Sequence, residues 1–321
     1  MRLPRFLRTP PPGVAVEITP RHVAAVDVSG SPATGFRVTA YGVEPLAAGV
    51  VVPSLNASNV ARPEDLAEAL TRVWDRLGHR PKRVALVIPD GVAKVSFVRF
   101  QQVPARSSDL DEMIRFQIKK AAPFQIEESR ISYSKGLETA DGQEFVVVQA
   151  RHDLVAEYEA ACQASGADAG LVDLATFNVA NAVIAGDPAL RGDWLLINVT
   201  PGGAALSIHR GRDIAFFRHR GGDGDASLGD LVHQTAMFYQ DRLGGSGFTR
   251  VLVAGGTQTD GSQTVRRTIE TRLDRQVEAV DPMKAVGFAD RTSLPADLAD
   301  ALAAAIGLAV AQRIVDTDRD Y

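Results

Sequence analysis

The sequence predicts an α/β protein built from two related lobes, each with a mixed β-sheet. Short apolar runs rich in β-branched residues alternate with amphipathic helical segments, and the same order of segments occurs in each half of the chain. The chain has 321 residues, of which 45% are apolar and 23% charged, so it can bury one large core or two linked ones. We therefore expect two lobes that share one architecture.

The first half opens with antiparallel strands. Val14–Ile18 and residues 23–28 are apolar runs joined by a short polar stretch, which predicts a hairpin, and residues 36–43 predict a third strand. Apolar residues at helical spacing predict an amphipathic helix over Pro63–Leu77. The continuous apolar run Arg83–Ile88 lies between prolines and predicts a strand that is buried on both faces. The first sheet is therefore expected to be mixed.

A smaller α+β subdomain is predicted as an insert over residues 93–166. Its predicted strands are residues 94–100 and 144–150, and its predicted helices are residues 108–120 and 152–165. The turn-rich stretch 135–143 predicts a solvent-exposed hairpin.

The second half repeats the order of the first. Its predicted strands are residues 194–199, 204–210, 212–217 and Arg250–Ala254, with a helix over residues 230–243. This duplication is typical of actin-like, ribonuclease H-like folds, in which two lobes face each other across a cleft. The predicted organisation is a disordered basic arm over residues 1–13, a first lobe over 14–92 and 167–190, the insert, and a second lobe over 191–321.

Three stretches carry a family resemblance. They are FRVTAYGVEPLAAGVV (residues 36–51), KRVALVIPDGVAKVSFVRFQQVP (82–104) and FQIKKAAPFQIEE (116–128), and together they resemble PilM-type proteins of type IV pilus assembly. The last stretch is similar in style to the division protein FtsA and to the cytoplasmic part of the secretion protein GspL. The resemblance implies a cytoplasmic scaffold, peripheral to the inner membrane, that holds the N-terminal tail of a PilN-like membrane protein. It also implies ATP binding between the lobes in many members.

The nucleotide motifs implied by this resemblance are degenerate here. The family's two phosphate turns each contain Asp-x-Gly, whereas this chain has Glu17-Ile18-Thr19 followed by Pro20, and Asn198-Val199-Thr200 followed by Pro201. Proline has no N–H to donate to a phosphate. The candidate vestigial nucleotide-binding residues are Glu17, Thr19, Asn198, Thr200, Gly202, Gly203, Gly255 and Gly256.

The glycine pair 255–256 matches the family's adenosine turn but fits plain turn geometry equally well. Residues 218–229 are also too few for the helical subdomain that forms one wall of the adenine site in the family. We therefore expect a protein without catalytic activity that needs neither ATP nor magnesium as a cofactor.

A peptide-binding groove is expected between the first lobe and the insert. Strand 95–100 and helix 109–120 carry more apolar and aromatic surface than a small subdomain needs for its own core, and a free strand edge can pair with an extended peptide. Basic residues nearby could orient an acidic tail or face anionic lipid. The candidate partner-binding residues are Val95, Phe97, Arg99, Phe100, Arg115, Lys119 and Phe124.

Several other classes of protein lack support. A net charge of −4 gives no reason to expect nucleic acid binding, and the single Cys162 excludes an internal disulfide. Only His209 and His219 could approach one another across a hairpin, and neither has a further metal ligand at suitable spacing. No apolar stretch approaches the roughly 20 residues that span a bilayer, so no membrane span is expected.

Three alternatives remain open at this point. A sugar or acetate kinase of the same superfold would need intact phosphate turns and an Asp base in the cleft, and neither is found at the expected positions. An FtsA-like division protein would need a C-terminal amphipathic membrane helix, but the sequence ends in acidic residues. A GspL-like component of type II secretion is the third alternative.

Overall fold

The computed structural model describes residues 12–201, 203–221, 227–256, 262–288 and 294–318. The strands are β1 (Val14–Ile18), β2 (His22–Ser31), β3 (Gly35–Pro45), β4 (Arg83–Ile88), β5 (Ala93–Phe100), β6 (Ser129–Thr139), β7 (Gly142–Arg151), β8 (Asp168–Leu174), β9 (Asp193–Thr200), β10 (Gly203–Arg210), β11 (Asp213–Gly221), β12 (Arg250–Ala254), β13 (Glu278–Ala279) and β14 (Gly287–Phe288). The helices are α1 (Pro63–Leu77), α2 (Ser107–Lys119), α3 (His152–Ala164), α4 (Ala175–Gly186), α5 (Leu228–Leu243), α6 (Ser262–Leu273), α7 (Ala296–Ala301) and α8 (Ala303–Asp318).

The sheet of the first lobe has the strand order β14-β3-β2-β1-β4-β8. β1 pairs antiparallel with β2 and parallel with β4, as predicted. Alternate residues of β1 serve two cores: Val16 packs with Trp74 of α1, whereas Ala15 belongs to the core formed with α4 and α8. Both faces of the strand are covered, which explains its unbroken apolar sequence.

The sheet of the second lobe, β11-β10-β9-β12-β13, has the same order as β3-β2-β1-β4-β8. β9 pairs antiparallel with β10 and parallel with β12, as β1 does with β2 and β4. Leu231 of α5 and Ile269 of α6 cover one face of this sheet. The predicted duplication and the actin-like α/β fold are therefore confirmed.

Helices α4 and α8 lie between the two sheets and share one core with both of them. The helices approach closely at Gly307, where a Cβ atom would lie 1.7 Å from the carbonyl oxygen of Asn178. Because real Cβ contacts are never that short, this crossing requires glycine. None of the described helices is long and apolar enough to cross a bilayer.

The insert contains the sheet β5-β7-β6, against which α2 packs through Ile114 and Ile118. The prediction of an exposed hairpin over residues 135–143 was wrong in extent, because β6 runs to Thr139 and β7 begins at Gly142. β6 is an edge strand with many polar residues, so its alternation is weak and the sequence pattern favoured a turn. α3 packs through Tyr158 into the core of the first lobe.

The predicted basic arm, apart from Pro12 and Gly13, lies outside the described residues, as does Gly202. β11 ends at Gly221 and α5 begins at Leu228, and residues 222–226 between them lie outside the described residues.

Candidate functional site

The two degenerate turns meet at one cleft, as their equivalent places in the duplicated fold require. Glu17 at the end of β1 and Asn198 on β9 line the same cavity of about 40 Å³, which Asp300 also lines. Cavities that bind cofactor-sized ligands usually measure about 300–1,000 Å³. In the described part of the chain, this space between the turns is therefore by itself too small for a nucleoside triphosphate.

The turn between β1 and β2 uses its own N–H groups. The hydroxyl oxygen of Thr19 accepts hydrogen bonds from the backbone N–H groups of Arg21 at 3.2 Å and His22 at 2.9 Å. The N–H of Thr19 donates to the carbonyl oxygen of His22 at 2.9 Å. Pro20 has no N–H. The backbone donors that an actin-like ATPase would direct at phosphate are thus already occupied or missing.

The second turn forms hydrogen bonds with residues of the first lobe. The amide Nδ2 of Asn198 donates to the hydroxyl of Thr176 at 3.1 Å, and that hydroxyl donates to Asp90 at 2.6 Å. The backbone N–H of Thr176 also donates to Asp90, at 3.1 Å. Thr200 donates its hydroxyl hydrogen bond to the carbonyl oxygen of Gly203 across the end of the hairpin. Asn198 is therefore part of a buried network and does not point into open space.

Sequence reasoning missed Asp90, although its position carried a signal. The residue follows the buried parallel strand β4, and polar groups at the carboxyl ends of such strands tend to face ligand clefts. Burial raises the pKa of Asp90 to about 6, although hydrogen bonds from Thr176 oppose the rise. Both carboxylate oxygens are bonded to Thr176, so Asp90 is held as a structural group.

Glu17 is also buried, with 8% of its surface exposed. Burial, followed by repulsion from Asp90 and Asp300, raises the pKa of its carboxyl group to about 8. A carboxyl group that is largely protonated at neutral pH is a poor magnesium ligand. The residue that replaces the first Asp of the family motif is therefore largely uncharged at neutral pH when no cation is bound.

The glycine pair after β12 has a structural explanation. Gly255 has a φ of +71°, and a Cβ at this position would lie 1.8 Å from the carbonyl oxygen of Val199. Its N–H donates to Asp300 at 2.8 Å. Gly256 lines a separate cavity of about 420 Å³, together with apolar residues that include Val280. This second space could accommodate a nucleoside-sized group, and it adjoins the space between the turns, since Asp300 lines both.

The histidine pair does not assemble. On the β10–β11 hairpin His209 faces Ile214, whereas His219 faces Ala205. His209 stacks on Trp194 with ring centroids 4.0 Å apart, and burial lowers its pKa to about 3. Among the described residues, no group of His, Cys, Asp or Glu side chains could hold a metal ion.

A second feature is a groove between the first lobe and the insert. It consists of two adjoining cavities of about 630 and 380 Å³ that share Ser132, Val148, Leu171, Val172 and Asp173. β8 is the outer strand of the first-lobe sheet and β6 is the outer strand of the insert sheet, so each offers a strand edge. We refer to this space as the β6–β8 groove.

One of the seven predicted partner-binding residues, Arg115, lines the β6–β8 groove. Phe100 instead packs in the core of the insert, with its ring centroid 6.0 Å from that of Phe145, and Val95 packs against the first-lobe core. Arg99 forms an ion pair with Glu144 at 3.2 Å. Lys119 is exposed, whereas Phe97 and Phe124 are half-buried away from the groove.

The duplicated sheets and the paired turns across one cleft define a protein of the actin-like ATPase fold. Within that class, the sequence profile described as "Type IV pilus assembly protein PilM" matches residues 15–234. The chain therefore belongs to the PilM family of type IV pilus assembly proteins.

Solved structures establish the fold independently. A structure of a "PilM-PilN type IV pilus biogenesis complex" superposes with a TM-score of 0.79 at 17% identity, covering 94% of this chain and 98% of that one. The ethanolamine utilization protein EutJ from Carboxydothermus hydrogenoformans gives a TM-score of 0.50 at 12% identity, with 94% and 90% of the chains covered. A Bacteroides thetaiotaomicron protein with an actin-like ATPase fold gives 0.50 at 8%, with 88% and 97% covered. No curated protein matches the sequence significantly.

Proposed function

We propose that this protein is a non-catalytic cytoplasmic adaptor of type IV pilus assembly, which binds the N-terminal cytoplasmic tail of a PilN-like inner-membrane protein. Membership of the PilM family supports the pilus role, and the complex with PilN named for a structurally similar protein supports the choice of partner. The observation that carries the proposal is the β6–β8 groove. The adaptor would be peripheral to the inner membrane through this partner.

The β6–β8 groove has the chemistry of a site for an extended peptide. Two strand edges face it, and an extended segment can add to such an edge through main-chain hydrogen bonds. Ile131 and Leu171 offer apolar side chains, and Leu171 is 41% exposed, which is high for a leucine in a sheet. Arg115 supplies a positive charge at the same wall. A tail with alternating apolar residues and an acidic group would fit these features.

The absence of catalysis is part of the same proposal. The first phosphate turn has no backbone N–H group left for phosphate, and Glu17 is largely uncharged at neutral pH. The side-chain amide of Asn198 donates its hydrogen bond to Thr176. The side chains of the cleft therefore connect the two lobes, and the protein would act by binding its partner at the β6–β8 groove.

The test is direct peptide binding by the full chain. Fluorescence anisotropy would use a labelled peptide with the sequence of the N-terminal cytoplasmic segment of the PilN-like protein from the same genome. We expect Leu171→Glu to weaken binding at least about tenfold, or about 1.4 kcal/mol, because it places a charge in an apolar part of the groove.

The matched control is Met237→Glu on α5, since Met237 is 43% exposed and lies outside the groove. It should bind like the parent protein. Equal affinities for both variants, with unchanged thermal unfolding, would show that the tail binds elsewhere, and no binding by the parent protein would refute the choice of partner.

A further inference from the structure

The outward face of α2 has an unusual composition for a solvent-exposed helix. Phe116 is 76% exposed, the largest exposed fraction among the exposed large apolar side chains in the described part of the chain. It lies two positions from each of the buried residues Ile114 and Ile118, which is about 200° around the helix in either direction. Phe116 is thus at the centre of the face opposite the core, and packing within the described chain does not explain it.

Basic residues surround Phe116 toward the C-terminal end of α2. Lys119 and Lys120 follow at the i+3 and i+4 positions and therefore lie beside the ring on the helix surface. Both lysines are exposed, and neither forms an ion pair with a described residue. Lys94 donates its ammonium hydrogen bond to the carbonyl oxygen of Ala121, which brings another positive charge to the same end.

The acidic residues of α2, Asp109, Asp111 and Glu112, lie in its N-terminal half, and Glu112 is at the i−4 position beside Phe116. The next acidic residues after the helix are Glu127 and Glu128. Met113, which is 36% exposed, extends the apolar surface on the side of Phe116. The C-terminal half of α2 therefore combines an exposed aromatic side chain, an exposed methionine and a local excess of positive charge.

We infer that the C-terminal half of α2 is a contact site for an anionic lipid surface. Lysines attract anionic headgroups across a short distance, and an exposed aromatic ring can enter the interface between headgroups and acyl chains. Long lysine side chains can lie along the interface while their ammonium groups remain among the headgroups. The charge of the whole chain is −4, so the attraction depends on this local arrangement.

The proposed partner is a bilayer rich in phosphatidylglycerol or a similar anionic phospholipid. The inference does not depend on the peptide groove, because the charges and the exposed ring are properties of α2 alone. If both hold, Arg115 would connect the two sites, since it lines the β6–β8 groove from the same helix. The protein would then rest on the membrane with the groove beside the bilayer, where a tail leaving the membrane could reach it.

The test is vesicle co-sedimentation of the full chain without any peptide. The probe is large unilamellar vesicles that contain about 30% phosphatidylglycerol in phosphatidylcholine, with pure phosphatidylcholine vesicles for comparison. We expect sedimentation with the anionic vesicles only, decreasing as salt rises from about 50 to about 300 mM, because surface charges are then screened. Lys119→Glu/Lys120→Glu should weaken binding about tenfold or more.

The matched control is Lys82→Glu/Arg242→Glu, which makes the same change in net charge at two exposed basic residues outside α2. It should bind vesicles like the parent protein. If the α2 variant and this control bind equally, or if the parent protein does not distinguish anionic from neutral vesicles, the inference is wrong. In that case the exposed ring of Phe116 would be better explained by a protein partner.

A second measurement reports the contact itself. Trp74 and Trp194 both have 0% of their surface exposed, so the native fluorescence is shielded from solvent. The conservative variant Phe116→Trp introduces an indole on the outer face of α2. Its emission should shift to shorter wavelength with anionic vesicles and become protected from acrylamide, and an unchanged spectrum in the presence of sedimenting vesicles would overturn the assignment of this face.

Discussion

The side chain of Asn198 donates to the hydroxyl of Thr176 at 3.1 Å, which links the second phosphate turn to the start of α4. Thr176 in turn donates to Asp90, which follows β4 of the first lobe. The three residues thus form a buried connection from one lobe to the other across the cleft. In an actin-like ATPase the nucleotide and its metal contact both lobes at this place, whereas here three side chains of the protein itself make the connection.

Restoring a carboxylate at the second turn should destabilise the protein. Asn198→Asp removes the donor to Thr176 and adds a negative charge close to Glu17 and Asp90, so we expect a loss of roughly 2 kcal/mol of unfolding free energy at pH 8. The loss should be smaller near pH 5, where the introduced group is more often protonated. Urea denaturation at both pH values measures this, with Asn198→Ala as the control that removes the donor without adding charge. A pH-independent difference would contradict the network.

The pKa of Glu17 makes a pH prediction with a definite sign. The folded-state pKa is about 8 against an ordinary value of 4.5, so the folded protein retains a proton that the unfolded chain has released. The contribution of Glu17 to the free energy of unfolding is therefore fully present below pH 4.5. It decreases as the pH rises toward 8, by at most about 1.4 kcal/mol per pH unit.

Glu17→Gln removes this titration while keeping the size of the side chain. We expect the unfolding free energy of the variant, minus that of the parent protein, to increase steadily between about pH 5 and pH 8. Chemical denaturation of both proteins at several pH values gives this difference. A difference that stays constant over this range would show that Glu17 is charged in the folded protein.

Mg-ATP should bind weakly and should not be hydrolysed above the buffer rate. The hydroxyl of Thr19 occupies the N–H groups of Arg21 and His22, and the neighbouring Pro20 has none. A lost hydrogen bond to a charged group costs roughly 1.5–3 kcal/mol, so the loss of several of them should bring the affinity to the millimolar range. Isothermal calorimetry and a phosphate-release assay are the measurements. Micromolar affinity would require the cleft to rearrange on binding.

The sequence predicted those elements well whose local apolar pattern is clear. α1 and β4 were predicted with their observed bounds. Trp74 belongs to a series of apolar residues at helical spacing, and Leu86 belongs to a continuous apolar run. β6 was not predicted, since its exposed edge carries little apolar alternation. The cleft network could not be predicted, because Asp90 and Asn198 lie far apart in the chain and are connected only through Thr176 at the start of α4.

The groove shows the same limit. Aromatic residues in strand 95–100 indicated surplus apolar surface, but the three-stranded sheet uses Phe100 in its own core. The exposed apolar residue at the groove is Leu171 in β8, where the sequence VDL gives no sign that the strand lies at an edge. An edge is a property of topology, and topology is only indirectly encoded in local pattern.

The crossing of α4 and α8 should tolerate no side chain at Gly307. Gly307→Ala would place a Cβ 1.7 Å from the carbonyl oxygen of Asn178, so the helices must move apart, at a cost of about 1–3 kcal/mol. Differential scanning calorimetry should show a lower Tm. The control is Gly229→Ala in α5, where the added methyl group meets the flexible end of Arg272 at 3.0 Å. A Tm at or above that of the parent protein for Gly307→Ala would mean that the helices are less closely packed.

Phe100 and Leu171 should differ in their effects, Phe100 on the stability of the insert and Leu171 on peptide binding. Phe100→Ala should destabilise the insert by about 3 kcal/mol, because the ring packs against Phe145 and the cluster that contains Ile114. The affinity for the partner peptide should nevertheless stay within about twofold of the parent value at a temperature where the variant is folded, since Phe100 does not line the β6–β8 groove. Leu171→Glu should give the opposite result, with normal stability and weakened binding. Hydrogen exchange of β5 and α2 together with peptide anisotropy tests both halves, and a Phe100→Ala variant that is stable but fails to bind would move the peptide site to β5.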